Sequence, residues 1–217
     1  LYGTTASGGT NQYDGTVFKI NVNGTGYTIL HSFGGSYFSD GYNPQAPLIQ
    51  GKDGFLYGTT YGERSGDGGT LFKMTTNGTS YSQIHTFGSG SDGAQPRGLV
   101  QADNGVLYGV TEWGGTNADQ YGIVRGTIFR LNTDGSGYAM LHGFNGELGD
   151  GAQPENPLII GAGGELYGTT YAGGSTRADG TVFRINMDGS GYRVLRRFTV
   201  ITSVLSDFSS DGQAPVP

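Results

Sequence analysis

Fourfold internal repetition constrains this chain more than any other feature. LYGTT at Leu1 returns as LYGTT at Leu56, LYGVT at Leu107 and LYGTT at Leu166, at spacings of 55, 51 and 59 residues. A GT-apolar-Phe segment starts at Gly15, Gly69, Gly126 and Gly180. LHSF at Leu30, IHTF at Ile84, LHGF at Leu141 and LRRF at Leu195 follow in the same order. An Asp-Gly-x-x-Pro segment comes last, at Asp40, Asp92, Asp150 and Asp211. A unit of this length is one small supersecondary element that cannot bury its faces alone. Stacking such units makes the core.

Each unit divides into four short strands. The first is PLIQG (47–51), GLVQA (98–102) or PLIIG (157–161). LYGTT is the second, and TVFKI (16–20) typifies the third. The third and fourth are joined at Asn23-Gly24, Asn77-Gly78, Asp134-Gly135 and Asp188-Gly189, dipeptides that tolerate the positive φ of tight hairpins. YTILHSF (27–33) typifies the fourth. No segment carries a capped 3.6-residue period, so no helix is expected. The 43 glycines follow no Gly-X-Y period, which excludes collagen, and the 14 Tyr and 11 Phe recur at fixed places, which argues against disorder.

The expectation is an all-β β-propeller of four-stranded blades, each about 51–59 residues, with four blades represented. The chain is one repeat domain, 1–217, with units near 1–46, 47–97, 98–156 and 157–217. The Tyr of LYG, the Phe of GTVF and the Phe of LHSF are expected to pack between blades. A linear β-solenoid is the other architecture, disfavoured by the regular hairpins.

The series LYGTT…GG…GTVFK…LHSF…DG…P resembles the GloVer tandem repeat over essentially the whole chain. That family occurs in bacterial proteins with varied surface-anchoring signals. The resemblance implies an extracellular or cell-surface place and supplies no catalytic residues.

The chain opens at a second strand and ends at Ala214-Pro215-Val216-Pro217, the approach to a first strand. The closing strand is therefore missing or reduced. A longer array, a neighbouring chain, or the unrepeated stretch FTVITSVLSDF (198–208) would each supply it. An unpaired edge invites strand addition, so the expected partner is the protein itself or neighbouring repeats.

Composition narrows the chemistry. A net charge of −6 with 14% charged residues argues against nucleic acid. No apolar run approaches a membrane span, so no insertion is expected. Cysteine is absent. His31, His85 and His142 share one repeat position, which holds Arg196 in the fourth unit, so a fourth-strand position that merely tolerates a polar side chain outweighs a ring of metal ligands. Asp40, Asp53, Asp67, Asp92, Asp150, Asp179 and Asp211 precede Gly, which turn chemistry explains. The Thr pairs of LYGTT recur in every unit, which suits packing rather than one nucleophile. Gly88-Ser89-Gly90-Ser91 is followed by no helix. The expectations are no catalytic residue, no metal and no cofactor. Asn23-Gly24-Thr25 and Asn77-Gly78-Thr79 are formal glycosylation sequons at hairpin tips.

Function is expected on the long loops between second and third strands: 6–14, 61–68, 112–125 and 171–179. They carry Trp113 with Tyr13, Tyr61, Tyr121 and Tyr171, and Arg64, Arg125, Arg177 and Asp119. Aromatic faces beside polar groups suit a glycan or a surface protein. The leading expectation is a structural, adhesive or self-assembling protein outside the cell. A carbohydrate-binding propeller is second and a glycan-active enzyme third.

Overall fold

The computed structural model describes residues 1–10, 14–34, 40–62, 68–88, 90–147, 149–173 and 179–198. Among these there is no helix, and the strands are antiparallel. The first sheet has three strands, β1 (Tyr2–Thr5), β2 (Thr16–Lys19) and β3 (Thr28–Ser32). The second holds β4 (Ile49–Gln50), β5 (Leu56–Thr60), β6 (Thr70–Met74) and β7 (Tyr81–Thr86), paired in chain order. The third holds β8 (Ala94–Gln101), β9 (Leu107–Trp113), β10 (Thr127–Leu131) and β11 (Ala139–Gly143). A two-stranded pair links β12 (Gly151–Ala152) to β15 (Ala172–Gly173). The fourth sheet holds β13 (Ile159–Ile160), β14 (Leu166–Thr170), β16 (Thr181–Ile185) and β17 (Arg193–Arg197).

The motifs have local physical causes. The last Thr of LYGTT shares a hydroxyl hydrogen bond with the Thr of the GT motif in each unit. Thr5–Thr16 are 2.9 Å apart, and Thr60–Thr70, Thr111–Thr127 and Thr170–Thr181 are each 2.8 Å apart. These hydroxyls are spent on each other, which accounts for the Thr pairs without a nucleophile. The Gly of LYG gives room to the Phe of the third strand: a Cβ on Gly109 would meet the Phe129 ring at 2.5 Å.

A bulge recurs where each third strand pairs with its fourth, and it leaves Leu30, Ile84, Leu141 and Leu195 without an opposite residue. The hairpin tip of the following unit rests on it. A Cβ on Gly78 would lie 2.8 Å from the Leu30 carbonyl oxygen, and one on Gly135 would lie 2.5 Å from that of Ile84.

The core lies between successive sheets. Val17 and Phe33 of the first unit meet Leu56, Phe72 and Met74 of the second. Tyr57, Leu71 and Phe87 meet Leu99, Leu107, Phe129 and Leu131. Tyr108, Val110, Ile128 and Phe144 meet Leu158, Leu166, Phe183 and Ile185. Among the described residues no apolar cluster joins the fourth sheet to the first. The three aromatic positions behave as expected inside the array and less so at its ends: Tyr57 and Tyr108 are buried, Tyr2 is exposed and Tyr167 half-buried. Of the stretch 198–208 only Phe198 lies within the described residues.

Each joint is locked by a polar device. His31 bonds Asp40 at 2.9 Å and stacks on Tyr81 of the next sheet, with centroids 4.0 Å apart and planes 3° off parallel. The Tyr81 hydroxyl donates to the Asp40 carbonyl oxygen at 2.6 Å. His85 stacks on Tyr138 at 4.4 Å beside Asp92, and His142 on Tyr192 at 3.7 Å while bonding Asp150 at 3.0 Å. Asp40, Asp92 and Asp150 thus do more than shape turns, which corrects the turn-only expectation. The histidines are specific joint residues rather than tolerated polar ones.

Burial pushes the His31 and His85 imidazoles below their ordinary range, against the opposing pull of Asp40 and Asp92. The unfolded chain takes up these protons near pH 6.5, the folded chain only at lower pH. Their contribution to stability is complete above about pH 6.5 and falls as the pH drops from there toward the depressed folded values. Urea midpoints are therefore expected to fall between about pH 7 and pH 5.5. His31→Gln is expected to reduce that dependence. A midpoint flat over this range would contradict the burial.

Candidate functional site

The loops that follow the second strands meet the segments that precede the first strands at one end of the sheets. The approach to a first strand crosses in a left-handed conformation, with φ of 56° at Asn43, 59° at Gln95 and 56° at Gln153. Backbone bonds hold the crossing in place. Asn43 N donates to Asp14 at 2.8 Å and Tyr61 N to Asn43 at 3.1 Å, while Gln153 N donates to Arg125 and Tyr171 N to Gln153, both at 2.9 Å. The crossing at Gln95 sets Arg97, the residue after Pro96, beside Glu112, the residue after LYGVT.

Glu112 is the centre of this end. It is buried, and its Oε2 accepts from Arg97 Nε at 2.8 Å, from Arg97 Nη2, and from the Tyr61 hydroxyl at 3.2 Å. Its Oε1 accepts from Trp113 Nε1 at 3.0 Å. Arg97 also bonds Gln45 and lies over the Tyr61 ring, 4.3 Å from its centroid. The carboxylate thus ties the second unit to the third, and Arg97 extends the link to Gln45 of the first. Glu155 stands nearby: burial and the Glu112 charge push its carboxyl above the ordinary range, and Arg97 only partly offsets them.

Tyr61 and Trp113 both bond Glu112, and Tyr61 is buried where an open binding face was expected. Its hydroxyl is committed to Glu112 and one ring face to Arg97, so it supports the site rather than presenting a surface. Tyr171 is exposed, and Trp113 half-exposed.

Asp119 and Arg125 form a separate hairpin-like feature within loop 112–125. Arg125 Nη2 lies 2.7 Å from Asp119 Oδ2, and Asp119 Oδ1 accepts from the backbone of Tyr121 and Ile123. The Ile123 and Tyr121 backbone bonds and Arg125 hold the Asp119 carboxyl low. This pair orders its own loop, and the exposed Tyr121 sits on its tip. Arg64, Arg177 and Tyr13 lie outside the described residues.

The sequons sit on exposed hairpin turns. Asn23 Oδ1 accepts from Thr25 N and Oγ1, and Asn77 Oδ1 accepts from Thr79 N and Oγ1. Asp134 with Ser136 and Asp188 with Ser190 make the same turn. Among the described residues no three His, Asp or Glu side chains converge as a metal would need.

Sequence reasoning missed Arg97, Gln45, Glu112 and Glu155. The signal was present: in a repeat with fixed motifs, the residues just after those motifs vary, and topology converges them.

A family model described as the Gloeobacter/Verrucomicrobia repeat matches residues 1–125 and, in a second placement, residues 53–215. The chain belongs to this repeat family. No relative among curated proteins matches the sequence. Among solved structures, the chain is similar to a GH74 enzyme of Niastella koreensis, with TM-score 0.57 at 14% identity, covering 89% of this chain and 27% of that one. It is similar to an oligogalacturonate lyase in complex with manganese, with TM-score 0.53 at 12% identity, covering 88% of this chain and 44% of that one. It is also similar to a chain of the nidogen/laminin complex, with TM-score 0.51 at 14% identity, covering 90% and 60%. The repeat chain therefore spans between 27% and 60% of these chains, less than two thirds of each. At such identities the likeness shows the fold alone, which is propeller-like.

Proposed function

We propose that the four sheets are blades of a propeller and that the chain is a non-enzymatic adhesive module working outside the cell. Its loop-bearing end binds a hydroxyl-rich ligand, a carbohydrate chain. The observation that carries this reading is the Glu112 cluster with the adjoining Trp113 ring. Arg97, Gln45 and Glu155 converge from separate units on one small area, Trp113 bonds the same carboxylate, and Tyr171 is exposed at the matching position of the next unit. Planar apolar faces next to fixed charged and amide groups match the alternating C–H faces and hydroxyls of a sugar. The oligogalacturonate lyase has a similar frame, and the surface placement implied by the repeat family brings such ligands within reach.

A hydrolase reading requires two carboxylates free to exchange protons. Glu112 accepts from Arg97, Tyr61 and Trp113 together, so both of its oxygens are already committed. Burial and the Glu112 charge push up the Glu155 carboxyl beside it, so no second free carboxylate stands opposite among the described residues of this cluster. Binding is the better reading.

The test is a glycan array followed by titration calorimetry on the best hit. Trp113→Ala and Tyr171→Ala are each expected to weaken binding about tenfold or more, as for central aromatic anchors. Tyr121→Ala is expected to leave it unchanged. No glycan hit, or equal losses for all three, refutes the assignment.

A further inference from the structure

Asn-Gly pairs stand on turns at Asn23, Asn77, Asn104 and Asn145. They match in two respects that govern attack on an asparagine amide. Each glycine has a positive φ, 83° at Gly24, 78° at Gly78, 85° at Gly105 and 73° at Gly146. Each glycine N–H donates to a backbone carbonyl, that of Asn21 at 2.9 Å and those of Thr75, Ala102 and Gly151 at 3.0 Å. With no Cβ, a glycine lets its backbone come close to the preceding side chain.

The pairs differ at the asparagine carbonyl. Asn23 Oδ1 accepts from Thr25 N at 3.1 Å and from Thr25 Oγ1 at 2.8 Å. Asn77 Oδ1 accepts from Thr79 N at 3.1 Å and from Thr79 Oγ1 at 2.8 Å. Among the described residues, Asn104 Oδ1 accepts only from Val106 N, at 3.1 Å, and Asn145 Oδ1 only from Glu147 N, at 3.0 Å. Asn23, Asn77 and Asn104 are all exposed, so water reaches each of them alike.

We propose that Asn23 and Asn77 are sites of self-processing, at which the threonine hydroxyl two residues on promotes loss of ammonia and leaves an aspartate. The Gly24 nitrogen gives up its proton and bonds to Asn23 Cγ. Negative charge builds on Oδ1, where Thr25 N and Oγ1 both donate. The bond from Cγ to the amide nitrogen breaks, and ammonia leaves with the proton. Water then opens the five-membered imide at Cγ, which breaks the new bond to Gly24 and leaves a side-chain carboxylate on an unchanged main chain. Nothing is oxidised or reduced. Gly78 and Thr79 act on Asn77 in the same way.

The product is one that the fold already uses. The equivalent turns of the third and fourth units hold Asp134 and Asp188. Asp134 Oδ1 accepts from Ser136 N at 2.9 Å and Oγ at 2.7 Å, and Asp188 Oδ1 from Ser190 N at 2.9 Å and Oγ at 2.6 Å. The same pair of donors therefore fits amide and carboxylate. The serine hydroxyls and backbone amides hold both carboxyls below their ordinary range. A carboxylate kept ionised does not close the imide again, so the conversion runs one way. Two conversions take the formal net charge from −6 to −8 and remove both sequons. The processing is independent of glycan binding.

The test is mass spectrometry of digests taken while the folded 217-residue chain stands in mildly alkaline buffer. The peptide around each Asn-Gly pair is followed for the mass gain of an amide becoming an acid. Asn23 and Asn77 are expected to convert about tenfold faster than Asn104, less than the roughly 10²–10³-fold of an enzyme's oxyanion donor because water competes at an exposed turn. Thr25→Val is expected to slow Asn23 to the pace of Asn104 and to leave Asn77 unchanged, and Thr79→Val to do the reverse. The unaltered site in each variant also reports that the fold is intact. Thr25→Ser keeps a hydroxyl and is expected to keep the rate. In urea, where the turns are lost, the advantage over Asn104 is expected to vanish. Equal rates at Asn23, Asn77 and Asn104 in the folded chain overturn the proposal. So does slower conversion at Asn23 and Asn77 than at Asn104, or a Thr25→Val chain that converts Asn23 as fast as the wild type.

Discussion

Phe129→Ala is expected to destabilise the chain by about 3–5 kcal/mol, the range for emptying a large aromatic from a packed core. Phe18→Ala, at the equivalent position of the first unit, is expected to cost only about 1–2 kcal/mol, because a half-exposed ring loses less transfer free energy and leaves no closed cavity. Phe129 is fully buried, stands 5.1 Å from the Phe87 ring and 5.8 Å from Tyr138, and lies over Gly109. Phe18 keeps only the within-sheet neighbour Tyr27, 5.5 Å away, among the ring contacts described. Urea denaturation followed by Trp113 fluorescence measures both. Equal losses for the two variants would mean that the outer face of the first sheet is covered in solution, contrary to the structure. Stability in a repeat array is close to a sum of unit and interface contributions, so the gap between these variants reports the worth of one inter-sheet joint.

Most of the architecture was legible because repetition supplies its own controls. Four copies of Asn-Gly or Asp-Gly between two apolar runs leave little room for anything but four hairpins. A Gly fixed in LYG beside a Phe fixed in GTVF reads out one ring over one glycine. What escaped was the partner of each fixed polar residue. His31 and Asp40 lie nine residues apart in the chain, and the third member of their joint, Tyr81, comes from the next unit. Stacking across units leaves no local spacing to recognise, so the histidines read as tolerated polar residues and the aspartates as turn formers. The candidate site escaped in part for a related reason. Trp113 and Tyr61 were found by residue type and loop placement. Glu112 and Arg97 were passed over because a lone acid after one motif and a lone base after another look solvated. Only the left-handed crossing at Gln95, which lays the start of β8 beside the end of β9, makes them a buried pair.

Arg97→Met separates these roles. It keeps the aliphatic stem over Tyr61 and removes the guanidinium. Glu112, whose side chain is 9% exposed, would then hold its charge with only the Tyr61 hydroxyl and Trp113 Nε1 as described donors. Stranding one partner of a buried pair costs about 3–5 kcal/mol; the Arg97 side chain is 19% exposed, so a value near the bottom of that range is expected. Glu112→Gln added to Arg97→Met removes the stranded charge and is expected to restore much of the loss at pH 7, a non-additivity that a double-mutant cycle reads directly. If the double variant is instead as unstable as the two single losses combined, Glu112 and Arg97 act separately. The cluster would then be two surface groups rather than the centre of a site.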